Sequence, residues 1–377
     1  MKKNLLFMSG LVAMLLSSCD QDITNVINLP GGQDTTTPAA QKEVSFTASM
    51  NGMNTRAVET TIANLGSFKV SAFNAEYDYT IMRDVKYTSS DNGQSWITDA
   101  GKFYWPATNA YNNHYFYAYS PDVPGTVGAF KVISGGIMLE NFTPNETAAS
   151  QKDFVYASAK GNYVENSDNP VNLVFKHALT EISIKAKNTN ADYKVQITGL
   201  KLGKIVSKAT FKFPQLNRSE PGEWYGFGTN APTNDYTTTW SAPVTLTSEA
   251  SSLDAANVPF MLIPQQLTAN KENPASGNFI AAKITVVKDN QTIYNGWSYV
   301  AIDTTWEMGK HYVYTLDFSN GLGKNYSSVD IAVKAMKTSV SVTNWESKDE
   351  GISLGKNNDE ILCVKKIARV YALAIFI

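Results

Sequence analysis

The sequence contains very few of the residues that form metal centres, disulfide frameworks or nucleophilic active sites. Its 377 residues include two cysteines, Cys19 and Cys363, and three histidines, His114, His177 and His311. Two cysteines so far apart indicate no disulfide framework. The histidines form neither an H-E-x-x-H motif nor a Cys/His cluster at metal-ligand spacing. We therefore predict no catalytic residues, no metal site and no cofactor, and we do not expect an enzyme.

Net charge and helical periodicity are also low. The chain carries a formal charge of −2 at pH 7, with 18% charged residues, so nothing in its composition points to nucleic acid or to an anionic membrane surface. No long stretch repeats apolar residues at i, i+3, i+4 and i+7, and no G-x-S-x-G motif marks a hydrolase nucleophile. We expect no nucleic-acid partner and little helix.

Strand-forming residues are abundant. Hydrophobic residues make up 43% of the chain, which has 19 Tyr, 17 Phe and 7 Trp. Thr, Val and Ile recur in short runs, and this mixture favours strands over helices. A chain of this length is long for one domain and comfortable for two. The predicted fold class is all-β.

The first residues have the layout of a secretory signal. Lys2 and Lys3 precede an apolar run over residues 5–16, and small residues follow before Cys19. The apolar run is too short for a comfortable membrane span. Its end, LSSC, resembles a bacterial lipobox, in which the cysteine is acylated and becomes the first mature residue. We predict that residues 1–18 are a lipoprotein signal peptide; the alternative is an ordinary signal with an incidental cysteine.

Residues 19–41 form a predicted tether between the lipid and the fold. The stretch DQDITNVINLPGGQDTTTPAAQ is rich in Gly, Pro, Thr and Asn, which is typical of a flexible or extended linker.

The first clear strand pattern lies in KEVSFTASM, from residue 42 to residue 50. Val44, Phe46, Ala48 and Met50 alternate with polar residues and should share one face. Arg56, one of four arginines in the chain, follows shortly after this pattern. An isolated arginine is in most cases an ordinary exposed loop residue.

The segment HYFYAYSP predicts a strand with two apolar faces. Tyr115, Tyr117 and Tyr119 fall on one face, and Phe116 and Ala118 fall on the other.

A second pattern, VNLVFKHALTEISIKAK, changes register within itself. Apolar residues occupy odd positions up to Phe175 and even positions from Ile182 onward. Such a switch predicts a bulge or bend near residues 179–181. Farther along, Asp289-Asn290 separates two alternating runs and predicts a hairpin turn.

Gly, Asn, Asp and Pro cluster in GNYVENSDNP, at residues 161–170, and place a domain boundary there. We predict an N-terminal β-sandwich at residues 42–168 and a C-terminal β-sandwich at residues 169–347. The tail at residues 348–377 ends in a short apolar run interrupted by basic residues. It is an extra donor strand, an interfacial helix or a non-native extension.

Several stretches together resemble the fimbrillin (Mfa-like) proteins of the Bacteroidales. They are VNLVFKHALTEISIKAK, SFTASMNGMNTRA, KFYWPATNAYNNHYFYAYSP, DFVYASA, WEMGKHYVYTLDF and VSVTNW. The resemblance covers about residues 42–347 together with the lipobox. It implies two transthyretin-like β-sandwich domains in a lipoprotein precursor carried to the outer membrane and cell surface. The acidic stretch CDQD after the lipobox resembles a surface-export signal. Family members are stalk, tip or anchor subunits of type V pili, or related surface proteins.

The resemblance also implies how the precursor matures. Cys19 carries the acyl chains (palmitate among them), and an arginine-specific protease cuts between Arg56 and Ala57. Cleavage releases the strand that holds Val44, Phe46, Ala48 and Met50. A neighbouring subunit then fills the groove by strand exchange. The candidate donor residues are Val329, Ile331, Val333, Ala335, Val340 and Val342.

The implied partners are other pilus subunits, the outer membrane before cleavage, and a host or bacterial surface receptor. One alternative is an uncleaved cell-surface anchor. Another is a carbohydrate-binding or adhesin-type lipoprotein, in which KFYWP and YNNHYFYAY present aromatic rings to sugars. Period-2 placement assigns most of these rings to the sandwich core instead.

Overall fold

Strands account for nearly all of the regular secondary structure in the computed structural model. The structure describes residues 41–50, 60–106, 109–121, 130–133, 136–215, 220–253, 259–320 and 337–344. The predicted signal peptide at residues 1–18 and the tail at 348–377 lie outside these residues, as does nearly all of the predicted tether at 19–41.

The described residues form 19 strands and one short α-helix. The first strands are β1 (Phe46–Met50), β2 (Ser67–Phe73), β3 (Val85–Thr88), β4 (His114–Ser120), β5 (Phe130–Ile133), β6 (Gly136–Phe142), β7 (Val155–Gly161), β8 (Val171–His177), β9 (Thr180–Lys187) and β10 (Lys194–Val206). The later strands are β11 (Ala209–Lys212), β12 (Glu223–Tyr225), β13 (Thr233–Thr245), β14 (Ser251–Ser252), β15 (Phe260–Leu262), β16 (Phe279–Lys288), β17 (Gln291–Ala301), β18 (Lys310–Asp317) and β19 (Lys337–Asn344). The helix α1 (Tyr163–Asn166) and two 3₁₀ turns (Ala148–Ser150 and Pro274–Ser276) complete the set.

The strands form four sheets in the described part of the chain. The first has the order β1-β8-β7-β4-β2-β3, and the second has the order β12-β11-β6-β5. The third has the order β13-β10-β16-β17, and the fourth has the order β14-β9-β18-β19 with β15 also paired to β9. The prediction of an all-β sandwich fold is confirmed.

Aromatic packing joins the first sheet to the second. Tyr115, Tyr117 and Tyr119 of β4 belong to a buried cluster with Leu139 of β6 and Phe211 of β11. Alternate β4 residues, including Phe116, face a separate core that also contains the apolar residues of β1 and β8. The two-faced pattern of HYFYAYSP is therefore confirmed.

The third and fourth sheets form a sandwich around a mostly aliphatic core. Ile197 and Leu202 of β10 and Ile284 of β16 contribute from the third sheet, and Ile184 of β9 and Tyr314 of β18 contribute from the fourth. The hairpin predicted at Asp289-Asn290 joins β16 to β17. Both turn residues have positive φ, 49° and 58°, as a tight hairpin turn requires.

The register switch between β8 and β9 is a change of sheet. β8 ends at His177 and pairs in the first sheet, whereas β9 begins at Thr180 and pairs in the fourth. Ala178 and Leu179 lie between the two strands and are fully buried. The bend predicted near residues 179–181 is present, and it needs no bulge because the chain moves from one sandwich to the other.

Strands on either side of residue 168 share two of the sheets. β8 pairs with β1 and β7, and β11 pairs with β6. The boundary at 168/169 stays a prediction. The described chain from residue 41 onward belongs to one compact unit.

Candidate functional site

The structure describes part of the predicted site set. Three groups of predicted residues lie outside the described residues. They are the lipid site Cys19, the processing residues Arg56 and Ala57, and the first four donor residues Val329, Ile331, Val333 and Ala335. The strand predicted to leave and the last two donor residues are described. They lie at the edges of two different sheets, on β1 and β19.

β1 is an edge strand with one neighbour among the described strands. It runs parallel to β8, with Phe46 opposite Val171 and Met50 opposite Phe175. About 120 residues of chain separate the paired segments, far more than the dozen or so residues that a parallel crossover needs. Alternation alone identifies a strand but not a partner this distant, so the sequence predicted β8 as a strand but not its pairing with β1.

The apolar face of residues 44–50 points into the core on the side of the first sheet that faces away from the second sheet. Val44 is 2% exposed and Phe46 is 6% exposed, while Ala48 and Met50 are partly buried against the same core. Phe46 packs against Phe116 with ring centroids 5.5 Å apart. The four residues therefore share one face and close the edge of that core.

Phe46 also reaches the opposite edge of its own sheet. Its ring lies 5.0 Å from that of Tyr87, which belongs to the other edge strand, β3. The first sheet is therefore curved enough for its two edges to meet through side chains. Burial, aided by the negative charge of Glu43, raises the pKa of Tyr87 to about 12, because a tyrosinate in this core would lose its hydration.

The residues just before β1 pair with a different segment. Val44 N donates to Phe103 O at 2.8 Å, and Trp105 N donates to Lys42 O at 2.9 Å. Farther along, Val171 N donates to Ser45 O at 2.9 Å. Residues 42–50 are thus held first by residues 103–105 and then by β8.

Exposed ion pairs surround the start of this segment. Lys42 contacts Asp168, and Lys102 lies 3.0 Å from Glu43. The hydrogen bond and charge of Asp168 raise the pKa of Lys42, and Lys42 in turn lowers the pKa of Asp168. Exposed pairs of this kind contribute little and are screened by salt. Apolar packing and backbone hydrogen bonds therefore hold β1 in place.

β19 forms the edge of the fourth sheet in the described part of the chain. It runs antiparallel to β18, with Val342 opposite Tyr312 and Val340 opposite Tyr314. The two tyrosines are buried, but Val340 and Val342 are 39% and 50% exposed. Residues directly opposite each other share a face of the sheet, so these valines extend an apolar face beyond its buried part.

The described residues contain no group of three or more His, Cys, Asp or Glu side chains arranged to hold a metal ion. Within the same residues, no helix has the length and apolar character needed to cross a membrane. The geometry at β1 and β19 suits non-covalent strand pairing.

Comparison with known proteins identifies both family and fold. A family model described as fimbrillin-like matches residues 55–345. Comparison with curated proteins gives no significant match. A solved fimbrial protein from Bacteroides vulgatus is 16% identical, covering 81% of this chain and 99% of its own, with a TM-score of 0.57.

Two further solved structures are less similar in shape. A protein assigned to cell adhesion from Bacteroides ovatus has 17% identity and a TM-score of 0.46, covering 82% of this chain and 100% of its own. The fimbrial anchor protein Mfa2 from Porphyromonas gingivalis has 8% identity and a TM-score of 0.34, covering 80% of this chain and 98% of its own. The family match spans more than half of the sequence, and the chain therefore belongs to the fimbrillin-like family.

Proposed function

We propose that this chain is the precursor of a structural, adhesive pilus subunit. It is lipidated at Cys19, exported to the outer membrane and cell surface, cut after Arg56, and assembled into a fimbrium with other subunits by strand exchange. Membership of the fimbrillin-like family supports the pilus and adhesion role. The edge position of β1, with its apolar residues in the core, is the observation that carries the proposal.

Removal of β1 opens a groove that is unfavourable to leave empty. Val44 and Phe46 are almost completely buried, and burial of such side chains stabilises by about 1.5–3 kcal/mol each, or roughly 3–6 kcal/mol together. The backbone of β8 also loses its hydrogen bonds to β1. Exposed apolar surface beside an unpaired strand edge binds an incoming strand.

The C-terminal segment is the candidate donor. β19 pairs on one side with β18, and its other edge has no partner among the described strands. Val340 and Val342 supply alternating apolar side chains for the groove. Because the donated strand and the groove are different surfaces, the contact is head-to-tail and builds a filament.

Arginine-specific proteolysis of the full-length chain tests this proposal. We expect a new N-terminus at Ala57, followed by filaments visible by electron microscopy. Arg56→Gln should block both events, whereas Arg83→Gln, at an arginine within the described fold, should leave both unchanged. Surface protein that assembles while residue 19 is still attached, shown by mass spectrometry, would contradict the cleavage step.

A further inference from the structure

A cavity of about 620 Å³ lies at one end of the first sheet, where β4 begins. Two loops form its walls, one after β2 and one before β4. Its lining includes four asparagines, at positions 74, 109, 112 and 113, together with Glu76 and Tyr111. The volume falls within the range of about 300–1,000 Å³ that is usual for small-ligand sites.

Hydrogen bonds within the loops fix the shape of this cavity. Asn74 Oδ1 accepts from the backbone N–H groups of Glu76 and Asp78, both at 2.9 Å. On the other wall, Asn112 N donates to Asn109 O at 2.8 Å. His114 Nδ1 lies 3.0 Å from Thr80 Oγ1 and joins the two walls. A site formed in advance spends less free energy on ordering when a ligand binds.

The lining favours a neutral ligand rich in hydroxyl groups. Each asparagine side chain both donates and accepts hydrogen bonds, as a hydroxyl group does. The described lining contains no Lys or Arg, and Glu76 is its one carboxylate. Burial lowers the pKa of His114, so this ring adds no positive charge near neutral pH. An anionic ligand would find no charge partner here.

Tyr111 supplies an apolar surface beside these polar groups. It is 79% exposed, the largest fraction among the exposed large hydrophobic residues of the described chain. Tyrosine combines an aromatic face with a polar tip. Sugars have the complementary character, since a pyranose ring has an apolar face of C–H groups and a rim of hydroxyls.

We propose that this cavity binds a neutral saccharide, with the ring stacked on Tyr111 and its hydroxyls bonded to Asn112 and the neighbouring amides. This inference does not depend on strand exchange, because the cavity is formed by residues that remain after cleavage at Arg56. The same chemistry is present in a host glycan and in a bacterial polysaccharide, and the experiment separates the two sources.

Full-length protein would be probed on an array with three arms. They hold neutral host-type oligosaccharides of galactose, mannose and N-acetylglucosamine, neutral bacterial polysaccharide fragments, and sialylated versions of the host set. We expect binding in one of the two neutral arms and weaker binding to the sialylated versions. Binding to sialylated glycans alone, or to no glycan, would overturn the proposal.

Variants then assign the binding to this cavity. Tyr111→Ala and Asn112→Ala should each weaken binding of the neutral hit about tenfold, whereas Tyr111→Phe should retain it because the ring remains. Tyr225→Ala removes a tyrosine that is 42% exposed and outside the lining, and it should bind as wild type. Circular dichroism confirms that each variant is folded. Unchanged binding by both alanine variants would place the site elsewhere.

Discussion

Phe46 of β1 and Tyr87 of β3 meet edge to face, with an interplanar angle of 83°. These residues belong to the two outermost strands of one six-stranded sheet, so their contact closes the curved sheet on itself. If the proposed cleavage removes β1, it removes one half of this closure. Although four strands lie between β1 and β3 in the sheet order, Tyr87 should then report directly on the loss of β1.

Phe46→Ala should lower the free energy of unfolding by about 3 kcal/mol, because it leaves a cavity among Phe68, Tyr87 and Phe116. Denaturant unfolding of the uncleaved chain measures this change. Thr47→Ala, on the exposed face of the same strand, is the matched control and should stay within about 0.5 kcal/mol of wild type. Equal losses from both variants would contradict the assignment of the stabilisation to the buried face of β1.

Alkaline pH should destabilise the fold through Tyr87. The folded chain holds this proton up to a pKa of about 12, whereas a tyrosine in the unfolded chain ionises near pH 10. The stabilisation that the folded state gains by keeping Tyr87 protonated is therefore fully present below about pH 10. It is lost as the pH rises toward 12. Tyr87→Phe should make the fall in stability shallower in that window, as measured by urea unfolding.

Buried Tyr117 and Tyr236 also have raised pKa values, and burial is the main cause. Part of the alkaline loss should therefore persist in Tyr87→Phe. Removal of β1 should bring the pKa of Tyr87 down toward about 10. Titrating tyrosinate absorbance in wild type and in Tyr87→Phe, and taking the difference, would measure this pKa. A Tyr87 pKa unchanged after proteolysis would mean that the strand is cut but stays bound.

Val342→Lys separates subunit folding from assembly. The side chain is half exposed, so the free energy of unfolding should change by no more than about 0.5 kcal/mol. The added charge should nevertheless prevent insertion into an apolar groove, and filaments should be lost in electron micrographs. Ser341→Lys places the same charge on the other face of β19 and should still polymerise. Filaments formed by Val342→Lys would exclude this part of β19 as the donor.

Two side-chain contacts made by aspartates of this chain should differ sharply in their effect on stability. His177 Nδ1 lies 2.6 Å from Asp153 Oδ2, and both side chains are buried. Asp153→Ala should therefore cost about 3 kcal/mol, since it leaves a buried imidazole without its carboxylate. Asp168→Ala breaks the exposed pair with Lys42 and should leave the thermal midpoint almost unchanged. Similar midpoints for both variants would contradict the assigned burial.

Local features of the fold could be predicted from the sequence, whereas long-range pairings could not. Alternation gave the two faces of β4, and the polar pair at Asp289-Asn290 gave a hairpin, because both depend on neighbouring residues. The pairing of β1 with β8 and the return of β11 to the second sheet join segments far apart in the chain. Period-2 patterns specify which face is buried but not which strand lies alongside.

The candidate sites show the same division. The apolar face of residues 44–50 could be predicted as Val44, Phe46, Ala48 and Met50, and the structure places all four against one core. The cavity beside Tyr111 could not be predicted, because its walls come from two loops on either side of β3 in the chain. The motif YNNHYFYAY did point to this region, but most of its rings are buried and only Tyr111 lies largely outside.

The two buried residues between β8 and β9 have a mechanical consequence. Ala178 N donates to Phe154 O, and Gly309 N donates to Leu179 O, so this short crossing is bonded to both sandwiches and contains no slack. Bending one sandwich against the other would have to separate the buried aromatic residues that pack with Ala178 and Leu179. If such subunits assemble into a fibre, flexibility should therefore reside more at the junctions between subunits than at this crossing.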